Sequence, residues 1–248
     1  IQTLERVYKH YYYIIRGGRK MILECKELTK WYGDTTAVAE LTLNLTEGKI
    51  YGLLGENGSG KTTWMKMVAG LTKPGHGEII YKGHPLGYKD KNEIAYMATE
   101  PFFYDFMKVS DVEDYYADFF PDFDRKRFQE LIGKMNLMPA QKVRNLSSGM
   151  SAKLKLAATL SRRASLCLLD EPLNGIDYKA REEIIKLILE EADDKRTFVI
   201  STHLLEEVES FIDYAVFIRD GQLVDKIDLE AERMRSGRSL AEIYMDLM

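Results

Sequence analysis

A basic excess is missing from this chain. Its 35 Lys and Arg face 39 Asp and Glu, a formal net charge of −4. Proteins that bind nucleic-acid phosphates carry the opposite imbalance, so no nucleic-acid partner is expected. Cysteine is scarce too: Cys25 and Cys167 stand far apart, each inside an apolar, strand-like run. That excludes a disulfide framework and fits two reduced core thiols of a cytosolic protein. No apolar run approaches the roughly 18 residues that a membrane-spanning helix needs, and no secretory signal is visible. If the protein works at a membrane, another chain supplies the membrane part. His10, His76 and His84 show no metal-ligand spacing.

What is present is ordinary globular material: 248 residues, 45% hydrophobic and 30% charged. That is enough chain for one large domain or two small ones with a core that needs no staple. Residues 1–20 read as separate from the rest, because an alternating strand, "ILECKEL", starts directly after Met21. Every residue of "RGGRK" (16–20) can be encoded by purine-only codons, as a ribosome-binding site would be. Residues 1–20 are therefore either translated upstream sequence before a natural start at Met21, or a docking extension built on a Tyr cluster.

From Met21 the pattern is organised. "LTLNL" (41–45) alternates as a half-buried strand does, and "KIYGLLG" (49–55) runs apolar as a strand covered on both faces does. "TTWMKMVAG" (62–70) predicts a helix that Gly70 stops, and "GEIIYKG" (77–83) a strand. Ser110 with Glu113 predicts a capping box opening a helix to about Phe119, which Pro121 closes. Phe128, Leu131, Ile132 and Met135 repeat at helical spacing, so about 102–148 is expected to be a helical insertion. A helix at 150–164, the buried strand "SLCLLD", a helix at 178–191, the buried strand "TFVIST" and a helix at 204–212 follow. Asp220-Gly221 marks a hairpin, and "SLAEIYMDLM" (239–248) resembles a short amphipathic helix in a tail over about 226–248. Strand–helix–strand alternation predicts an α/β fold with a mainly parallel sheet covered on both faces.

"GENGSGKTT" (55–63) lies between an apolar strand and a helix, and Gly55, Gly60, Lys61 and Thr62 fit the spacing G-x-x-x-x-G-K-T. In average composition that spacing arises by chance in about one chain in a hundred of this size, and its context, strand before and helix after, also matches. Glycines let backbone N–H groups wrap a phosphate, and the helix N-terminus adds partial positive charge. Lys61 would reach the β- and γ-phosphates and the Thr62 hydroxyl would ligate Mg²⁺. "LCLLDEP" ends a second strand on Asp170, placed to hold Mg²⁺ through its water shell, and Glu171, placed to take a proton from an attacking water. "VISTHLLEE" ends a third strand on His203, an imidazole that can donate to a γ-phosphate oxygen.

Three further segments carry a family resemblance. "NLSSGM" (145–150) resembles the "LSGGQ" signature of ABC-type ATPases, "LNGID" (173–177) their D-loop, and "KWYGD" (30–34) their adenine-stacking loop. The order of phosphate loop, signature, acidic pair, D-loop and histidine is similar to theirs over about 21–225. The resemblance implies a P-loop NTPase core, an antiparallel β subdomain and an inserted α-helical subdomain. It implies that Tyr32 stacks on adenine and that Gly55, Asn57, Gly58, Gly60, Lys61, Thr62 and Thr63 bind ATP phosphates and Mg²⁺. Ser147 and Gly149 would bind the γ-phosphate of a nucleotide held by a second copy, giving a head-to-tail dimer around two ATPs. Two departures stand out. Thr99, followed by Glu100, occupies the place of a glutamine that touches Mg²⁺ and the attacking water. Thr99 acts there through a water, or Glu100 substitutes. Ser148 and Met150 also depart from the signature.

The function this implies is an ATP-hydrolysing subunit on the cytoplasmic face of a bacterial cell membrane. A second ABC ATPase subunit and integral membrane permease subunits would be its partners, the latter gripped near Thr99–Tyr104, and export of a peptide, antibiotic or similar amphiphile is expected. A soluble ABC ATPase and an ATP-gated regulator with weak hydrolysis are the alternatives. The chain lacks the long coiled-coil insertion of DNA-repair members and has room for one such domain where translation-associated members carry two. Thr99 is the one feature that suits a regulator.

Overall fold

The computed structural model describes residues 20–100 and 102–248. The expectation for residues 1–20 therefore falls almost wholly outside the described residues.

Two long strands, β1 (Met21–Tyr32) and β2 (Thr35–Thr46), pair antiparallel around a turn at Gly33, whose φ of 57° a glycine adopts without strain. With β4 (His76–Tyr81) and β5 (His84–Pro85) they make a sheet in the order β2-β1-β4-β5. The second sheet runs β10-β9-β3-β8-β7-β6. Its strands are β3 (Ile50–Leu54), β6 (Ile94–Met97), β7 (Leu166–Asp170), β8 (Thr197–Thr202), β9 (Tyr214–Arg219) and β10 (Gln222–Asp228). All neighbours in it pair parallel except β9 and β10, which form an antiparallel hairpin through Asp220 and Gly221, both at positive φ.

Period-two burial divides the molecule into two cores. Tyr51, Leu53, Leu168, Val199 and Val216 face the antiparallel sheet and helix α1 (Lys61–Val68), where Trp64 is fully buried. Ile50, Leu54, Leu169, Ile200 and Phe217 face the opposite way. There they meet α2 (Val109–Phe119), α3 (Arg125–Lys134), α4 (Ser148–Leu160) and α5 (Tyr178–Glu191). Both faces of the central strands are covered, so they need apolar residues at every position. The two buried free thiols belong to different cores, Cys25 to the first and Cys167 to the second. Burial pushes the Cys25 thiol up to about 12.

Two expectations about local structure need correction. Helix α2 is opened by the Asp111 carboxylate accepting from the Lys108 backbone N–H at 2.8 Å, not by a Ser110–Glu113 box. Ser110 lies inside the helix and donates its own N–H to the Pro139 carbonyl. The helix expected at 204–212 is a single turn, α6 (Leu205–Val208), after which the Ile212 N–H closes onto the Val208 carbonyl and the chain turns into β9. The tail bears out the amphipathic helix expected over 239–248: α7 (Leu229–Ser236) comes first, Gly237 at φ 68° joins the two, and α8 (Leu240–Leu247) is that helix. Among the described residues no helix is long and apolar enough to cross a membrane.

Candidate functional site

Parallel register aligns the C-terminal ends of β3, β8 and β7, and these ends carry the site. Leu54 pairs with Thr202, and Asp170 pairs with Ser201. The loop 55–60 leaves β3 and feeds α1, with Asn57 and Gly58 exposed at its crest. Gly60 caps the helix at φ 105°, and a Cβ there would lie 2.5 Å from the Ala37 carbonyl oxygen. A Cβ on Gly55, at φ 156°, would lie 2.2 Å from the Ile218 carbonyl oxygen. The two glycines are thus demanded by backbone conformation and by close approach together. Tyr32 is exposed where β1 turns toward β2, the strand whose Ala37 carbonyl abuts Gly60.

Lys61 is buried, and its Nζ donates to the carbonyls of Gly55 at 2.7 Å and Glu56 at 2.9 Å. Burial lowers its pKa, and the carboxylates of Glu171 and Asp170 oppose that shift. An ammonium has three N–H donors, so one remains for another acceptor. Ser59 Oγ is buried in the same loop without a hydrogen-bond partner among the described residues. A loop with an orphan hydroxyl, a desolvated ammonium and an open glycine crest at a helix N-terminus fits an incoming phosphate chain. Thr63 completes the first turn of α1.

Asp170 is fully buried, and three hydroxyls converge on its carboxylate. Thr62 Oγ1 donates to Oδ1 at 3.1 Å, Ser201 Oγ to Oδ1 at 2.6 Å, and the Tyr96 hydroxyl to Oδ2 at 3.0 Å. Burial and then the neighbouring Asp170 charge push the Tyr96 phenol upward, so it stays a donor. Thr62 and Asp170 are hard oxygen donors of the kind that suit Mg²⁺, and Thr62 can turn a lone pair toward a cation in place of its present bond. Thr99 Oγ1 donates to the Asp170 main-chain carbonyl at 3.2 Å, so it meets this residue at the backbone rather than at the carboxylate.

Glu171 adopts φ 49°, a conformation that costs a residue with a Cβ about 1–2 kcal/mol. Ser201 holds it there: the Glu171 N–H reaches Ser201 Oγ at 2.9 Å and the Ser201 carbonyl at 3.2 Å. One hydroxyl therefore donates to Asp170 and accepts from Glu171. The Glu171 carboxylate in turn lies 3.1 Å and 3.3 Å from His203 Nδ1.

Ser147 and Gly149 are placed elsewhere. Ser147 is exposed and caps α4 by accepting from the Met150 N–H at 3.3 Å, and among the described residues its hydrogen bonds stay within that helix. Gly149 is buried against α5, where a Cβ would sit 3.2 Å from that of Ala180. Sequence reading missed Tyr96 and Ser201. The available signal was a hydroxyl pair, Ser201 and Thr202, closing an otherwise apolar strand.

A family model described as ABC transporter matches residues 38–174, more than half of the chain. The chain belongs to the ABC transporter ATP-binding family. It is 32% identical over 226 residues to the bacitracin transport ATP-binding protein BcrA of Bacillus licheniformis, covering 88% of this chain and 74% of that one. It is 31% identical over 205 residues to the lantibiotic transport ATP-binding protein SrtF of Streptococcus pyogenes, covering 82% and 89%. A solved ATP-binding subunit of an ABC transporter superposes with a TM-score of 0.81 at 25% identity, over 91% of this chain and 99% of that one. A dimeric bacterial ABC transporter cassette shares the fold at a TM-score of 0.75 and 23% identity, over 84% and 99%. As an ABC transporter ATP-binding subunit, the chain binds and hydrolyses ATP.

Proposed function

We propose that two copies of this chain, or one copy and a close paralogue, close around two ATPs and so drive integral membrane subunits of a bacterial exporter. One observation carries the two-copy reading. Lys61, Thr62, Asp170, Glu171 and His203 meet at one edge of the sheet, while Ser147 stands exposed on a different helix N-terminus. A second anion site that its own cradle does not use fits a nucleotide held by a partner copy.

Within each site Lys61, the loop amides and Ser59 bind the triphosphate, and Tyr32 stacks on adenine. Thr62 and Asp170 hold Mg²⁺, which neutralises phosphate charge when bound, with Thr99 beside them. Glu171 accepts the proton of the attacking water, and His203 orients Glu171 and faces the γ-phosphate. An exposed stacked pair, Tyr104 and Phe106, with Phe119 exposed on α2, offers an apolar surface for the membrane subunit, which would hold the chain at the cytoplasmic face of the membrane. The names of the bacitracin and lantibiotic relatives favour export of an amphiphilic peptide or antibiotic.

Sedimentation of Glu171→Gln tests this reading. With Mg·ATP the variant should shift from one copy to two, and with ADP it should not. A species that stays single at saturating ATP contradicts pairing between identical copies.

A further inference from the structure

Lys155 is a buried charge to which the site gives no role. Lys155 lies on α4, eight positions after Ser147 and roughly 12 Å along the helix at the usual rise per residue. It is buried, and among the described residues no carboxylate forms an ion pair with it. Its ammonium instead donates to three successive main-chain carbonyls in the loop after β6: Ala98 at 2.8 Å, Thr99 at 2.8 Å and Glu100 at 3.4 Å. The Phe102 ring lies 5.6 Å away on the same loop. Burial lowers the pKa of this ammonium, so the position costs free energy that an apolar side chain would avoid.

The loop that Lys155 grips is fixed at two other points. Thr99 Oγ1 bonds the Asp170 carbonyl, and the Glu100 carboxylate pairs with Lys66 at 3.2 Å. Lys66 belongs to α1, the helix that opens with Lys61 and Thr62. One short loop thus joins α4, the end of β7 and α1. Helix α4 is a continuous rod whose N-terminus carries Ser147 and Gly149.

We propose that Lys155 is a positioning residue that couples the Ser147 end of α4 to the Asp170 site of the same chain. A partner's nucleotide that draws α4 inward moves the Ala98–Glu100 loop through Lys155, and the loop sets Asp170 and α1 for turnover. The inference rests on the two-copy reading above. The coupling lies in main-chain carbonyls, which every residue type supplies, so it survives the short Thr99 side chain.

The test compares the full chain with Lys155→Met and Lys155→Arg. Lys155→Met should bind ATP within about 2-fold of wild type while kcat falls about 5-fold or more, the range of a typical coupling term. Lys155→Arg, which keeps donors at the same place, should recover most of that loss. In the Glu171→Gln background, ATP should slow hydrogen exchange at Ala98, Thr99 and Glu100. Adding Lys155→Met should erase that slowing and leave protection at Lys61–Thr63 in place. Glu100→Gln, at an exposed ion pair, should weaken the same slowing and gives a readout even where Lys155→Met folds poorly. A Lys155→Met kcat equal to wild type, or a loss of ATP affinity matching the loss of kcat, overturns the inference. So does loop protection that persists in a double variant that still pairs. Failure of Glu171→Gln itself to pair with ATP overturns the two-copy reading instead, before Lys155 is changed.

Discussion

Glu171 and His203 face one another across the ends of two adjacent parallel strands, with Nδ1 of the imidazole 3.1 Å from the carboxylate. The imidazole thereby aims Glu171. His203→Ala removes the aim and leaves the cradle intact. The expected outcome is a kcat lowered at least 10-fold with little change in ATP affinity, read by steady-state turnover and equilibrium titration. Equal losses in both would mean that His203 serves binding alone.

Ser201 is the joint of the site. Ser201→Ala removes the shorter of two hydrogen bonds to Asp170 Oδ1, which keeps Thr62, and the shorter of two from the Glu171 N–H, which keeps the Ser201 carbonyl. A stability loss of about 1–3 kcal/mol is expected in urea titration, with a drop in kcat beside it. A variant as stable and as active as wild type would show that the strained Glu171 backbone holds itself.

The loop glycines differ in what they demand. Gly60→Ala meets the Ala37 carbonyl at 2.5 Å in a left-handed conformation, whereas a Cβ on Gly58 at φ 85° meets nothing within 4 Å. Gly60→Ala should lose ATP binding, and Gly58→Ala should keep a measurable affinity. Isothermal titration separates them, and the reverse order would contradict the packing of the loop against β2.

Acid should release the C-terminal helices. Glu232 on α7 is held at about 2 by Arg238 first, with Ser236 and Arg235 adding to it. A depressed carboxylate contributes stability above its unfolded pKa and loses it as pH falls through the folded value. Hydrogen exchange over 229–248 should therefore be protected at pH 5 and progressively freed toward pH 2. Glu232→Gln should free the same segment at neutral pH. Protection that is flat from pH 5 to 2 would show that the Leu240 and Arg219 contacts carry the tail without Glu232.

The cradle, the acidic pair and the histidine were legible because each is a short string after an apolar run, and the sheet needs those runs to be apolar at every position. Helix 178–191 and the Asp220-Gly221 hairpin were legible for similar local reasons. Tyr96, Ser201 and Lys155 were not. Each is a single residue whose meaning comes from a neighbour across the sheet or on another helix: Ser201 from its pairing with Asp170, Lys155 from a loop more than fifty residues upstream. The α2 cap was misread because Ser110 and Glu113 have the right spacing while Asp111, two residues before Glu113, takes the bond.

The two-copy site is tested most directly by mixing two dead variants. Lys61→Ala keeps a sound Ser147 end and loses its cradle, while Ser147→Arg, an exposed change, keeps its cradle and blocks the helix end. Each alone should be inactive. Mixed, one cradle meets one intact Ser147 helix, and ATP turnover should return. A mixture as inactive as its parts, with both chains folded, would contradict a site built from two copies.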